Sequence, residues 1–221
     1  MGLDFSILQD YIGLFLQGLG MTLLISLITV LFGTIIGTPL ALIRLSKSKV
    51  ISIIATSYIE IIRGTPLLLQ LYIFAYGIPL AFPFIRFSPF VAGIIALALN
   101  SSAYVAEIVR SGIQSIDEGQ LEAAKSLGLS YALSMRKVII PQAIKNVLPS
   151  LGNEFVTVVK ESSIVSIVGI ADLMKVTNTI SSQKFRLFEA LLFAALLYFI
   201  VTFTISKLVN YIERKLSVSH G

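Results

Sequence analysis

The 221-residue chain has no cysteine, no tryptophan and a single histidine, and only 13% of its residues are charged. Without cysteine there is neither a disulfide framework nor a thiolate metal site. The lone histidine, His220, stands in the tail and cannot assemble a metal centre by itself, so no metal is expected. The phosphate-cradling pattern G-x-x-x-x-G-K-[ST] is missing, so an ATP site of that kind must sit on another polypeptide. No nucleophile–base constellation is visible, and no catalytic residues or enzyme activity are expected. Charge is scarce for a soluble domain, which carries roughly a quarter charged residues.

What fills the chain is apolar: 56% hydrophobic residues and a mean hydropathy of +0.90. That places the protein in a lipid bilayer, and the length suggests one domain. The net charge of +5 gathers at the ends of apolar segments. This pattern suits membrane orientation and gives no reason to expect nucleic acid as a partner.

A spanning helix needs about 20 mostly apolar residues. Five stretches approach this, at 11–43, 50–80, 89–109, 141–170 and 187–211. The second contains Glu60, Arg63 and a Gly64-Thr65-Pro66 break; the fourth is interrupted by Pro149, Gly152 and a charged cluster. The expected fold is an all-α integral membrane protein with five transmembrane helices. Residues 1–10 read as a short extracytoplasmic tail, 11–215 as the membrane domain and 216–221 as a C-terminal tail. Asp4 and Asp10 stand where a secretory signal would carry positive charge, so the tail is expected to be retained. If Arg44, Lys47 and Lys49 are cytoplasmic, so are Arg110, Lys125, Arg136, Lys137, Lys145, Lys207, Arg214 and Lys215. The excess puts the N-terminus outside and the C-terminus inside, with Lys175–Arg186 running against the rule.

The longest loop, 111–140, carries helix signals. Ser115 with Glu118 fits a capping box, and Asp117 with Gln120 offers a second cap. The helix should carry Leu121, Ala124 and Leu127 on one side and end at Gly128, which tolerates the left-handed conformation. Ser130 can cap a second helix through Lys137, and Pro141 suits the first turn of the fourth span. A cytoplasmic helix–turn–helix hairpin follows.

In the second span, Thr65 before Pro66 is disfavoured in the α region. Threonine is a good N-cap and proline a good first helical residue, so a half-helix should start at Pro66. Its positive end would suit an anionic group such as a carboxylate, with Arg63 beside it. Alternatively, Arg63 pairs with Glu60 around a proline kink. In the fourth span, Lys160-Glu161-Ser162-Ser163 cannot face lipid at acceptable cost. Glu161 can meet a substrate ammonium or form a buried pair with Lys160 or Arg63, and Glu154 shares its helical face. Asn100, Ser101 and Tyr104 place polar groups in the third span, where interhelical bonds suit the serines. Glu107 and Arg110 form an i, i+3 pair.

The hairpin reads Glu122-Ala123-Ala124-Lys125-Ser126-Leu127-Gly128, then Val138-Ile139-Ile140-Pro141. This resembles the EAA loop of ABC importer permeases, with Val138 and Ile140 where the family usually has Ile and Leu. Arg63-Gly64-Thr65-Pro66-Leu67-Leu68-Leu69-Gln70 is similar to the family's second-helix signature. The stretch from Asn100 to Arg110 and the run from Gly119 to Ala124 resemble its polar-amino-acid branch. Lys160-Glu161-Ser162-Ser163-Ile164 resembles the fourth-helix signature, which more often has Asp at the second position. The matches run from about residue 20 to residue 172.

The resemblance implies a type I ABC importer permease (MetI-like) fold in a bacterial inner membrane. It implies a coupling loop over 115–141 that docks an ABC ATPase subunit through Glu122, Ala123, Ala124, Gly128 and Pro141. A second permease subunit, identical or a close paralogue, and an extracytoplasmic amino-acid-binding protein complete the system. ATP and magnesium belong to the ATPase, leaving no cofactor in this chain. Glu60, Asn100, Tyr104 and Glu161 match positions that line the family's substrate cavity. With Arg63, Thr65, Gln70 and Ser162 they make up the candidate substrate site. Two acidic groups favour a basic amino acid over glutamine or cystine. The rival readings are an ion-coupled secondary transporter relaying through Glu60, Glu161 and Lys160, a non-transporting scaffold, and an ABC permease for another small polar solute.

Overall fold

The computed structural model describes residues 6–218. His220 and the outermost parts of both expected tails, 1–5 and 219–221, lie outside the described residues. Helix α1 spans Ile7–Arg44. It takes in Ile7–Asp10, which were expected in the tail. Asp10 falls in the first turn, where a carboxylate suits the positive end of the helix dipole.

Helix α2 spans Lys49–Gly64 and α3 spans Leu67–Tyr72. A π-helical turn at Ile73–Gly77 leads into α4, Ile78–Ala81. The two legs of this second span meet at 101°. Between them Thr65 and Pro66 adopt extended backbone, with ψ of 145° and 134°. The discontinuity expected from Gly64-Thr65-Pro66 is present, but its local chemistry differs. Pro66 precedes the first helical residue. The Thr65 hydroxyl turns back to donate to the Ile61 carbonyl instead of capping α3.

Helix α5, Pro89–Gln114, starts at Ser88, whose hydroxyl accepts from the Val91 amide. It packs along α1 through small residues. A Cβ on Gly37 of α1 would lie 2.5 Å from the Ser102 carbonyl oxygen of α5. Lipid tails give apolar helices no hydrophobic reason to associate, so close approach of this kind carries the packing.

Helix α6 spans Glu118–Ser126 and α7 spans Tyr131–Ser134. A π-helical turn at Met135–Ile139 joins α7 to α8, Ile140–Glu161, without a gap. The second hairpin helix therefore does not stop at Lys137. Pro141 cannot donate to the carbonyl four residues back, and its ring crowds that carbonyl. The wider π turn makes room for it, and the helix runs on. Nor do Pro149 and Gly152 break the fourth span. Gly152 lets α8 approach the last helix: a Cβ there would meet Val209 Cγ2 at 2.4 Å.

After Glu161 the chain tightens into a 3₁₀ turn, Ser162–Val168, that ends at Gly169 with φ +91°. Helix α9, Leu173–Lys184, is capped by the buried Asp172, whose carboxylate accepts from Met174 and Lys175. Helix α10 spans Leu187–Val218.

Three buried apolar clusters hold the bundle. Ile25, Leu71, Leu97, Val165 and Val168 tie α3 to α1 and α5. Ala41, Ile59, Ala103 and Val109 join α2 to the same pair nearer the hairpin. Phe15, Leu173, Ile180 and Ala190 join α1, α9 and α10. The outer surface is apolar as well: Leu27, Leu31 and Ile35 on α1 and Phe199, Ile200 and Phe203 on α10 are exposed. Such a surface is at home in hydrocarbon, not in water.

Among the described residues, three helices are long and apolar enough to cross a membrane, or four if the bent pair is one crossing. The remaining expected crossing is α8. It is 22 residues long but carries Lys145, Glu154, Lys160 and Glu161, so its composition does not mark it as a span.

Candidate functional site

The break in the second span is secured by Gln70. Its amide nitrogen donates to the Ile62 carbonyl at 2.8 Å, to Thr65 Oγ1 at 2.9 Å and to the Thr65 carbonyl at 3.3 Å. Its oxygen accepts from Asn100 Nδ2 of α5 at 3.1 Å. The last carbonyls of a helix have no partner within it. Gln70 supplies one to α2 and ties the break to the neighbouring helix. Thr65, Gln70 and Asn100 therefore come together, but as a frame whose hydrogen-bonding capacity is largely used. Beyond the break the half-helix runs on from Leu67 through the π turn to Ala81.

One turn along α5 from Asn100, Tyr104 faces Arg63. The guanidinium carbon lies 5.3 Å from the ring centroid, a cation–π arrangement. Arg63 forms no ion pair with Glu60; both are exposed on α2. Arg63 and Tyr104 thus form an open charged and aromatic patch above the Gln70–Asn100 frame.

The fourth-span residues divide. Ser162 is fully buried; its hydroxyl donates to the Val159 carbonyl, and Ser26 of α1 donates to it at 3.5 Å. Glu161 and Lys160 are exposed. Glu154 shares a face with Glu161 by register but not an environment: it is 9% exposed and accepts from Ser101 Oγ at 2.8 Å. Ser102 bonds Tyr58 of α2 at 2.9 Å, so Ser101 and Ser102 both make the interhelical bonds expected of them.

Glu107 and Arg110 form the expected pair, and Arg44 at the end of α1 joins the same carboxylate. That third member carried no local signal in the sequence. It lies 63 positions from Glu107.

In the hairpin, Asp117, not Ser115, caps α6: its Oδ1 accepts from the Gly119 amide at 2.7 Å. Ser115 instead accepts from Asn146 Nδ2 of α8 at 2.9 Å. Gly128 ends the helix at φ +81°. Its amide donates to the Lys125 carbonyl and that of Leu129 to the Ala124 carbonyl, the paired bonds of a Schellman motif. Ala124 is buried against the bundle, while Glu122 and Ala123 face outward. Leu127, expected on the inner side, is 82% exposed because the turn at Gly128 swings it out. Ser130 caps α7 by accepting from the Leu133 amide. Among the described residues, no group of three His, Cys, Asp or Glu side chains could hold a metal ion.

An apolar-surfaced helical bundle, a broken helix with polar groups in its interior and a projecting helical hairpin define a multi-pass membrane transport component. The chain belongs to the family described as binding-protein-dependent transport system inner membrane component, which matches residues 30–218. It is thus an inner-membrane component of a transport system and not an enzyme. It is 43% identical to a Rickettsia bellii permease protein named for glutamine transport, GlnP, over 92% of this chain and 93% of that one. It is 39% identical to the arginine transport system permease protein ArtQ of Bacillus subtilis, with 98% of both chains covered. Among solved structures, an amino acid ABC transporter crystallised with histidines matches at a TM-score of 0.93 and 49% identity. That match covers 97% of this chain and all of the other.

Proposed function

We propose that the chain is the permease subunit of an ABC importer for polar amino acids. It works beside a second permease subunit, identical or paralogous, with ATPase subunits on the cytoplasmic side and a binding protein outside. The observation that carries this reading is the pairing of two features in one chain. The hairpin presents Glu122 and Ala123 outward on a turn fixed by Gly128, and the second span is broken at Thr65-Pro66 with the polar side chains of Gln70 and Asn100 buried against it. Irregular backbone at membrane depth is tolerated only where protein buries it or a water-filled cavity meets it.

In this reading five helices cross the bilayer, α8 among them, with the N-terminus outside and the C-terminus inside. Arg63 and Tyr104 meet the substrate carboxylate; Glu60 and Glu161 meet its ammonium or a cationic side chain. Thr65, Gln70, Asn100 and Ser162 hold that site in shape. Glu122, Ala123, Ala124, Gly128 and Pro141 form the coupling element. ATP and magnesium are bound by the ATPase subunit, whose closure drives alternating access. The relatives named for glutamine and for arginine both support a polar amino acid.

The test is uptake by the reconstituted permease, ATPase and binding protein in proteoliposomes. The reading predicts ATP-dependent accumulation of labelled arginine or glutamine and none without the ATPase. Accumulation by the permease alone under an ion gradient would replace it with the secondary-transporter reading.

A further inference from the structure

On the hairpin side of the bundle, α8 and α10 border an open-mouthed cavity of about 560 Å³. Its α8 wall presents Gln142, Lys145, Asn146, Ser150 and Asn153, and its α10 wall presents Glu213 and Leu216. The volume lies within the roughly 300–1,000 Å³ of small-molecule clefts. A second cleft of about 540 Å³ lies under the hairpin, but Leu42, Leu45, Ile113, Leu121, Met135 and Ile139 make most of its wall.

The polar wall does not stop at the cavity. Asn146, Ser150, Asn153, Thr157 and Glu161 recur at steps of three or four residues along α8. At 100° per residue they share one face of roughly 100° width, and from Gln142 to Glu161 the face runs about 28 Å. That is close to the roughly 30 Å thickness of the hydrocarbon core. A stripe of amides, hydroxyls and a carboxylate of that length cannot lie against lipid without large cost. It fits a water-filled path.

We propose that the cavity between α8 and α10 is an inner holding site for the transported amino acid, reached from Glu161 along the polar face of α8. This rests on the importer reading above. Glu213 takes the ammonium group, and the amides and hydroxyl of Asn146, Asn153 and Ser150 take the carboxylate and polar side-chain atoms. The substrate stops here before it leaves on the hairpin side.

The absence of cysteine from the chain supplies a clean background for testing this. Ser150→Cys and Asn153→Cys are introduced singly into the full assembly in inside-out vesicles, with Ser48→Cys in the exposed turn between α1 and α2 as control. The probe is a small anionic methanethiosulfonate, applied with and without arginine or glutamine. Both cavity positions are expected to react, and an amino acid at about ten times its Kd should slow them about tenfold by mass action. The control should not be slowed. Adding Glu213→Gln should raise the Kd about tenfold, as loss of a charged partner does, and leave only about a twofold slowing. If both cavity cysteines stay unreactive, or neither amino acid slows them, while the wild-type assembly still imports it, the holding site is refuted and the importer reading stands. If the wild-type assembly imports neither amino acid, the importer reading fails and the holding site falls with it.

Discussion

Asn100 of α5 donates a hydrogen bond to Gln70 of α3 at 3.1 Å, fastening the kinked second span to the most buried helix of the bundle. The same glutamine donates to the last carbonyls of α2. One side chain thereby closes a helix end and fixes the 101° bend.

Replacing Gln70 with leucine should leave those carbonyls and the Asn100 amide without partners. A buried polar group stripped of its partner costs about 1–3 kcal/mol. Gln70→Leu and Asn100→Leu should each lower the thermal unfolding midpoint of the purified assembly. The double variant should cost less than the sum, since the two share a bond. Additive losses in a double-mutant cycle would show that the bond contributes nothing.

The hairpin makes a separable prediction. Gly128→Val forces a branched residue into positive φ, at a cost of about 1–2 kcal/mol, and distorts the turn that presents Glu122. Glu122→Lys reverses the charge on the outward face without touching the turn. Both variants should insert into the membrane normally yet lose stimulation of ATP hydrolysis by the loaded binding protein. Stimulation equal to wild type in both would remove the docking role from the hairpin.

Gly37→Leu should be far more damaging than its position on an apolar helix suggests. A Cβ there already meets the Ser102 carbonyl oxygen at 2.5 Å, so α1 and α5 must separate. Gly20→Leu on the same helix meets nothing within 4 Å and provides the control. The expected result is loss of folded protein in detergent, read by size-exclusion chromatography, for Gly37→Leu alone. Equal yields from the two variants would show that the close approach is not required.

The features legible in the sequence were those set by neighbours along the chain. Gly64-Thr65-Pro66 announced the kink because proline restricts the residue before it. Gly128 announced its turn, and Ser130 its cap. The errors arose where distant residues or backbone adjustment decided the outcome. Pro149 and Gly152 looked like breaks, yet a helix tolerates a proline when its neighbours support it, and Gly152 answers to Val209, far along the chain. Pro141 looked like a beginning, and a π turn absorbed it. Ser115 looked like a cap, but Asn146 on α8 claims its hydroxyl. Of the candidate site, the sequence shows which polar residues stand within the apolar stretches. The division into a frame (Thr65, Gln70, Asn100, Ser162) and an open patch (Arg63, Tyr104) was not legible, because it depends on which side chains spend their hydrogen bonds on one another.

The unbroken helical backbone from Tyr131 to Glu161 has a mechanical meaning. At 1.5 Å per residue it is a strut of about 46 Å, with slack at the π turn and at Pro149, which withholds one backbone hydrogen bond. A tilt of about 10° applied at its outer end displaces the other end by roughly 8 Å, more than one full helical turn. A small rocking of whatever grips Tyr131 is thus delivered, magnified, at the carboxylate of Glu161.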